Sequence, residues 1–421
     1  MIKYKIKDGI NLYHIRSSKF KTITASVNIH RPLLKSEASL NALLTDVMHR
    51  GNKLYPDMIA ISKHLQDLYG AGFYTTIKRK GEDQIISFSV SCVNDKYVDE
   101  DCTKKAISFM YDVLLNPLKE DGGFKKDYVE QEKVNLKNDI LALINDKRSY
   151  ASWRILELMC KDDNYGVHEL GTIEDVDKIT NVSLFEHYER ILKESPIDIF
   201  ITGGIDIKNV VTLTEEAFSD ITPLKFEYPV CSQYKKSEEL SDVTEKFDVT
   251  QGKLCLGFAT NILPKDEDYT ALMVYNGILG GGPHSKLFNN VREKLSLAYY
   301  VSSRLERYKG LMTISSGIEI ENKNAALSEI YVQMDAIKNG DISDYEFDST
   351  IKSITNSLKS FGDDVGYNAD YYLGQLVTGK IVTVDELIKN IEAITKEDVL
   401  QVAKKIEPQM VYFLTSESEG K

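Results

Sequence analysis

FKTITASVNI, residues 20–29, and GKLCLGFATN, residues 252–261, both alternate apolar and polar residues as strands do, and they stand about 230 residues apart. Each is followed by a helical stretch that closes on glycine: Gly51 in the first case, Gly280, Gly281 and Gly282 in the second. LYGAGFYTTI, residues 68–77, then corresponds to SLAYYVSSRL, residues 296–305, and the dipeptide Lys80-Gly81 to Lys309-Gly310. A β-rich run follows each pair, QIISFSVSCV in the first half and LMTISSGIEI in the second, so the order strand, helix, helix, strand occurs twice. The ends of the halves agree as well. DKITNVSLFEHYERILKESPIDIFITG and EAITKEDVLQVAKKIEPQMVYFLTS both read as a helix leading into a strand.

A chain of 421 residues is two to three times the roughly 150 residues of one domain, which fits a duplicated unit. The halves meet in PLKFEYPVCSQYKKSEELSDVTEKFDVTQG, whose Pro223, Pro229 and interspersed charges read as a charged, exposed connection. The expected organisation is an N-terminal domain over residues 1–222, a linker over 223–249 and a C-terminal domain over 250–421. The expected fold is α+β, with a mostly antiparallel sheet covered by helices in each half. No GxGxxG follows a strand and GGGPHSK lacks the spacing of a phosphate loop, so nucleotide binding has no support.

Composition narrows the function classes. Hydrophobic residues at 42 % beside 28 % charged residues describe a globular protein rather than a disordered one. A net charge of −12 argues against a nucleic-acid partner. MIKYKIKDGINLYHIRSSKF at the start is broken by charges, and no later run reaches the ~20 apolar residues of a membrane span, so a cytoplasmic protein without a membrane partner is expected. The five cysteines, Cys92, Cys102, Cys160, Cys231 and Cys255, are dispersed and form no CxxC pair, which fits a reducing compartment.

In SLNALLTDVMHRG, residues 39–51, Leu40, Leu43, Leu44, Val47 and Met48 make one helical face, and Ala42, Thr45, Asp46 and His49 lie along the other. Together with the repeat, the place of this helix after the first strand and the following GNKLYPD, it resembles the pitrilysin and mitochondrial-processing-peptidase family of inverzincin metallopeptidases over nearly the whole chain. In that family the helix carries HxxEH, two zinc-binding histidines and a glutamate base. Ala42 and Asp46 stand where the resemblance places the histidines, Thr45 where it places the base and Asp139 where it places the third ligand. The motif is degenerate, so no metal is expected in this chain. Asp46 and His49, at i and i+3, read as solvated helix surface.

GGGPHSKLFNNVREKLSLAYYVSS, residues 280–303, resembles the family's C-terminal signature, in which an arginine and a tyrosine hold the substrate backbone. The corresponding residues are Arg292 and Tyr299. Leu287, Phe288, Val291 and Leu295 read as the buried face of a helix, with Arg292 at its edge. The resemblance implies that Arg292 binds a peptide carbonyl and that the Tyr299 hydroxyl stabilises an oxyanion. His284 stands just before and is a further substrate-binding candidate. Without the resemblance, Arg292 reads as a surface salt bridge to Glu293 and Tyr299 as core. The other histidines, His14, His30, His64, His168 and His187, and the single Trp153 read as structural. No GxSxG elbow or cysteine nucleophile is present.

Within the family the sequence is similar to the non-catalytic, YmfF-like bacterial branch, on LYGAGF, KGEDQIISFSV, NDKRSYASWR and the block from Ser285 to Gly310. That resemblance implies a subunit inactive alone, which lends Arg292 and Tyr299 to a zinc-bearing paralogue in a heterodimer cleaving short or unfolded peptides. The alternatives are a non-proteolytic scaffold in elongation factor P aminopentanol modification and leader removal from a ribosomally made peptide.

Overall fold

The alternating stretch at residues 22–32 becomes a central strand, with Ile23, Ala25, Val27 and Ile29 turned to one side and Ser26, Asn28 and His30 to the other. The computed structural model describes residues 1–221 and 227–417. From the N-terminus run β1 (Ile2–Lys7), β2 (Ile10–Ile15), β3 (Thr22–Pro32), α1 (Ala38–His49), α2 (Met58–Asp67), β4 (Gly72–Lys80), β5 (Asp83–Val93) and α3 (Cys102–Leu115). The short β6 (Lys119–Glu120) and β7 (Gly123–Phe124) follow, then α4 (Lys126–Ala142), α5 (Lys147–Met159), α6 (Ile173–Lys178), α7 (Asn181–Glu194), β8 (Ile197–Thr202) and α8 (Ile207–Ala217). The second half has β9 (Ser241–Phe247), β10 (Gly252–Ala259), α9 (Tyr269–Gly280), a π-wound helix (Leu287–Lys294), β11 (Ala298–Glu306) and β12 (Leu311–Ile318). It ends with α10 (Lys323–Lys338), α11 (Asp344–Phe361), α12 (Val365–Thr378), α13 (Val384–Glu392), α14 (Lys396–Ala403) and β13 (Glu407–Ser416).

The chain forms two compact units, neither a contiguous span: Met1–Leu141, Val167–Val230 and Gly362–Val377 make the first, and Ala142–Gly166, Cys231–Phe361 and Thr378–Lys421 the second. In the first unit the sheet order is β1-β2-β8-β3-β5-β4, antiparallel except for β2 beside β8. The helices α1, α3 and α7 pack on one face, where Leu43, Leu44, Val47 and Met48 of α1 join the strand aliphatics. Burying each such side chain contributes about 1.5–3 kcal/mol. The opposite face carries Tyr13, Ile15, Ile85 and Phe200, covered by Tyr372 and Leu373 of α12. Asp370 of α12 is held by Lys80 at 2.8 Å.

The second unit repeats the plan, with sheet order β11-β12-β10-β13-β9, antiparallel except for β9 beside β13. Leu254, Leu256 and Phe258 of β10 face the helical layer of α9, α10 and α14. Cys255, Tyr412 and Leu414 face the other way, onto Ala151, Ile155 and Leu156 of α5. Trp153, read as core, is half-buried at the edge of that contact. The repeat extends to the helix starts. Thr180 caps α7 and Thr395 caps α14, each in a reciprocal capping box before the terminal strand of its half.

In two places the fold departs from the sequence reading. Ser241–Phe247, inside the stretch read as a connection, is β9, an edge strand whose register is fixed by parallel pairing to β13 far along the chain; residues 223–226 of that stretch and position 222 lie outside the described residues. Leu295, placed on a buried helix face, is 45 % exposed. The Leu295 amide reaches back five residues to the Asn290 carbonyl at 3.1 Å, and this wider winding carries Leu295 off the face that Leu287 and Val291 bury.

Candidate functional site

In the first unit, α1 and α4 bound an open pocket of about 400 Å³ lined by Asp46, His49, Arg50, Met58, Tyr74, Thr75, Glu132 and Asn135. Ala42, one turn before Asp46 on α1, and Thr45, directly before it, are buried. The Thr45 hydroxyl donates to the Ala42 carbonyl at 2.7 Å, so the position that the resemblance gives to a glutamate base is satisfied within the helix. Asp46 and His49 are half-buried pocket walls rather than solvated surface, because α4 and β4 close over the end of α1. The His49 ring stacks on Phe73, centroids 5.5 Å apart.

The pocket is rich in carboxylates. Glu132, 8 % exposed, pairs with Arg50 and accepts a hydrogen bond from Asn135 Nδ2 at 2.8 Å. Burial, joined by the charges of Glu132 and then Asp139, pushes Asp46 up to about 6. Burial also holds His49 below the usual imidazole range, so its ring is neutral at pH 7. Asp139 itself is exposed. The residues do not fit the zinc that the resemblance associates with this helix. Ala42 has no ligand atom in its side chain, and among the described residues no group of three or more His, Cys, Asp or Glu side chains could hold a metal ion.

In the second unit the candidate residues stand on irregular backbone. Arg292 lies in the π-wound helix Leu287–Lys294, which Leu287 and Val291 anchor in the core and Asn290 ties down through Nδ2 to the Lys286 carbonyl and to Gln333 Oε1. The helix stops on Ser296, a non-glycine residue with φ near +50°. The Leu297 amide then donates back to the Val291 carbonyl, as the Ala71 amide does to Leu65 after α2 in the first repeat, where Tyr69 takes the left-handed conformation. Tyr299 is the extra residue of a β-bulge, since Ala298 pairs with Ile318 and Tyr300 with the adjacent Gly317. Ala298 and Val301 both turn to the core, and the bulge leaves Tyr299 outside, 55 % exposed.

Arg292 makes the ion pair to Glu293, Nε to Oε1 at 3.5 Å, that its surroundings suggested, and its guanidinium lies over the Phe288 ring at 4.7 Å. Tyr299 is not in the core as its unaided reading had it, and its hydroxyl donates to the Glu319 carboxylate. His284 is buried before the π-wound helix with no hydrogen-bond partner for Nε2 among the described residues.

Glu132 and Glu319 were not legible as site residues. Glu132 stands in EQEKVNLKNDI with the look of a solvated charge, although its place seven residues before Asp139 puts both on one face of α4. Glu319 reads as a charge at a strand end and meets Tyr299 only through the β11–β12 pairing. His30 is structural as expected, locked between Asp83 at 2.6 Å and Asp198 at 3.2 Å; burial lowers its proton affinity, and the two carboxylates more than reverse that.

Residues 178–354 match the family described as Peptidase M16 inactive domain. The probable inactive metalloprotease YmfF of Bacillus subtilis is 34 % identical over 414 residues, 96 % of each chain. The uncharacterized zinc protease YmxG of the same organism is 25 % identical over 374 residues, 83 % of this chain and 86 % of that one. A crystal structure of a conserved protein from Enterococcus faecalis V583 superposes with a TM-score of 0.92 at 31 % identity, over 100 % of this chain and 99 % of that one. Similar along nearly its full length to a probable inactive metalloprotease, and with ligand positions that cannot hold zinc, the chain belongs to the M16 peptidase family as an inactive metalloprotease-like member.

Proposed function

We propose that the chain is the non-catalytic subunit of a two-chain zinc metallopeptidase, in which the C-terminal repeat, residues 250–421, presents Arg292 and Tyr299 to peptides beside the metal of a zinc-motif paralogue. The N-terminal repeat, residues 1–222, carries the emptied counterpart of that metal site. The observation that carries this reading is the backbone between Leu287 and Tyr300, where a π-wound helix and a β-bulge put both residues in solvent. Such irregularities disrupt regular hydrogen bonding and gather at functional sites. Arg292 offers a planar set of donors to a peptide carbonyl, and the Tyr299 hydroxyl a single donor. Short or unfolded peptides suit such a clamp, since it takes hold of a backbone that must be free of other hydrogen bonds. All five cysteines are free thiols, in keeping with a reducing cytoplasm, and among the described residues no helix is long and apolar enough to cross a membrane.

The test is hydrolysis of a quenched fluorescent peptide library by this chain, by a zinc-motif paralogue from the same genome, and by their equimolar mixture. Cleavage by the mixture alone is expected. Full activity of the zinc-bearing chain by itself, or a mixture unaffected by joint Arg292→Ala and Tyr299→Phe changes, would sink the proposal and move a scaffold role in elongation factor P modification ahead.

A further inference from the structure

Tyr299 has one hydroxyl proton, and in this structure Glu319 accepts it. The contact follows from the bulge: pairing Ala298 with Ile318 sets the extra residue beside the one that follows β12. Both side chains are exposed, so no packing holds them together. Arg292 is already balanced by Glu293. Lys253, the second residue of β10, donates to Gln251 Oε1 at 3.3 Å. Among the described residues no lysine or arginine pairs with Glu319, whose carboxylate is thus an uncompensated charge at the clamp.

A peptide carbonyl that takes the Tyr299 proton deprives Glu319 of its donor and leaves a carboxylate next to an electron-rich oxygen. The two repel. A cation on the same peptide removes the conflict, because it can occupy Glu319 while the phenol turns to the carbonyl. We infer that Glu319 is a specificity-determining residue, which makes the Arg292–Tyr299 clamp prefer peptides bearing a lysine or arginine side chain next to the carbonyl it holds. The inference rests on the clamp proposed above and adds the class of peptide it takes. The attraction acts at an exposed site, so its effect is modest and falls with salt.

The experiment is fluorescence anisotropy of the full chain with fluorescein-labelled, glycine- and serine-rich peptides of about ten residues. Lysine is placed at each position in turn and compared with norleucine, which keeps most of the aliphatic stem and removes the charge. The wild-type chain is expected to bind the best lysine peptide about two- to fivefold more tightly than its norleucine partner, the range of an exposed ion pair. Glu319→Gln should bring that ratio to one. An unchanged ratio in Glu319→Gln, or no preference in the wild type, overturns the inference. Arg292→Ala and Tyr299→Phe separate the two levels: if they weaken both peptides while charge makes no difference, the clamp stands and only its selectivity is lost. If they change neither peptide, or neither peptide binds, the clamp reading falls and the selectivity with it.

Discussion

The two repeats treat equivalent ground differently. In the first, the helix that would hold a metal is a regular α-helix, and its changed residues are absorbed without distortion: Ala42 packs in the core, Thr45 bonds its own helix, and Asp46 looks into a pocket that remains open. In the second, Arg292 and Tyr299 ride on π-winding and a bulge, and neither side chain is needed to fill the core. A regular helix tolerates loss of chemistry because its fold never depended on those groups. Irregular backbone has less of its own hydrogen-bonding regularity to sustain it and is held here by Leu287, Val291 and Asn290.

The largest effect should come from setting the two regions against each other in the peptide assay. Arg292→Ala with Tyr299→Phe is expected to lower the mixture's rate by about 100-fold or more, the scale of losing transition-state hydrogen bonds, whereas Asp46→Ala with His49→Ala should leave it within about twofold. Equal losses would erase the contrast. Next in size is a pH effect confined to the first unit. Asp46 is raised from 3.8 to about 6, so its ionisation opposes folding: the favourable contribution of the protonated form is complete below pH 4 and gone above pH 6. Asp46→Asn should therefore stabilise the chain at pH 7.5 by about 1–3 kcal/mol in urea unfolding, and the gain should vanish near pH 4. A gain independent of pH would mean that packing, not charge, sets the strain there. The smallest effect belongs to Ser296, where glycine relieves the left-handed conformation. Ser296→Gly should raise stability by about 0.5–1 kcal/mol, and a loss would show that the serine side chain itself holds the turn.

Much of this was readable before any coordinates, for a physical reason. Strand alternation in residues 20–29 and 252–261, and the helix leading into a strand at the end of each half, are local signals that survive in a linear string. What was missed is non-local. β9 is a strand only because β13 pairs with it; Glu132 is buried only because Arg50 meets it; Leu295 leaves the apolar face only because the helix unwinds to an i→i+5 pattern that hydrophobic spacing does not encode. The candidate site divides along the same line, with Arg292 and Tyr299 carried by a contiguous motif and Glu319 arriving across a strand pair.

The helices α5 and α12 each complete a sheet built mainly by the other half of the sequence. Synthesis runs from the N-terminus, so Tyr13, Ile15, Ile85 and Phe200 emerge from the ribosome long before Tyr372 and Leu373 exist to cover them. At about 5–20 residues per second the wait lasts on the order of ten seconds or more. For that interval the first sheet has an apolar face and nothing of its own to put on it, so a helix from the last fifth of the chain completes a sheet whose strands all lie in the first half.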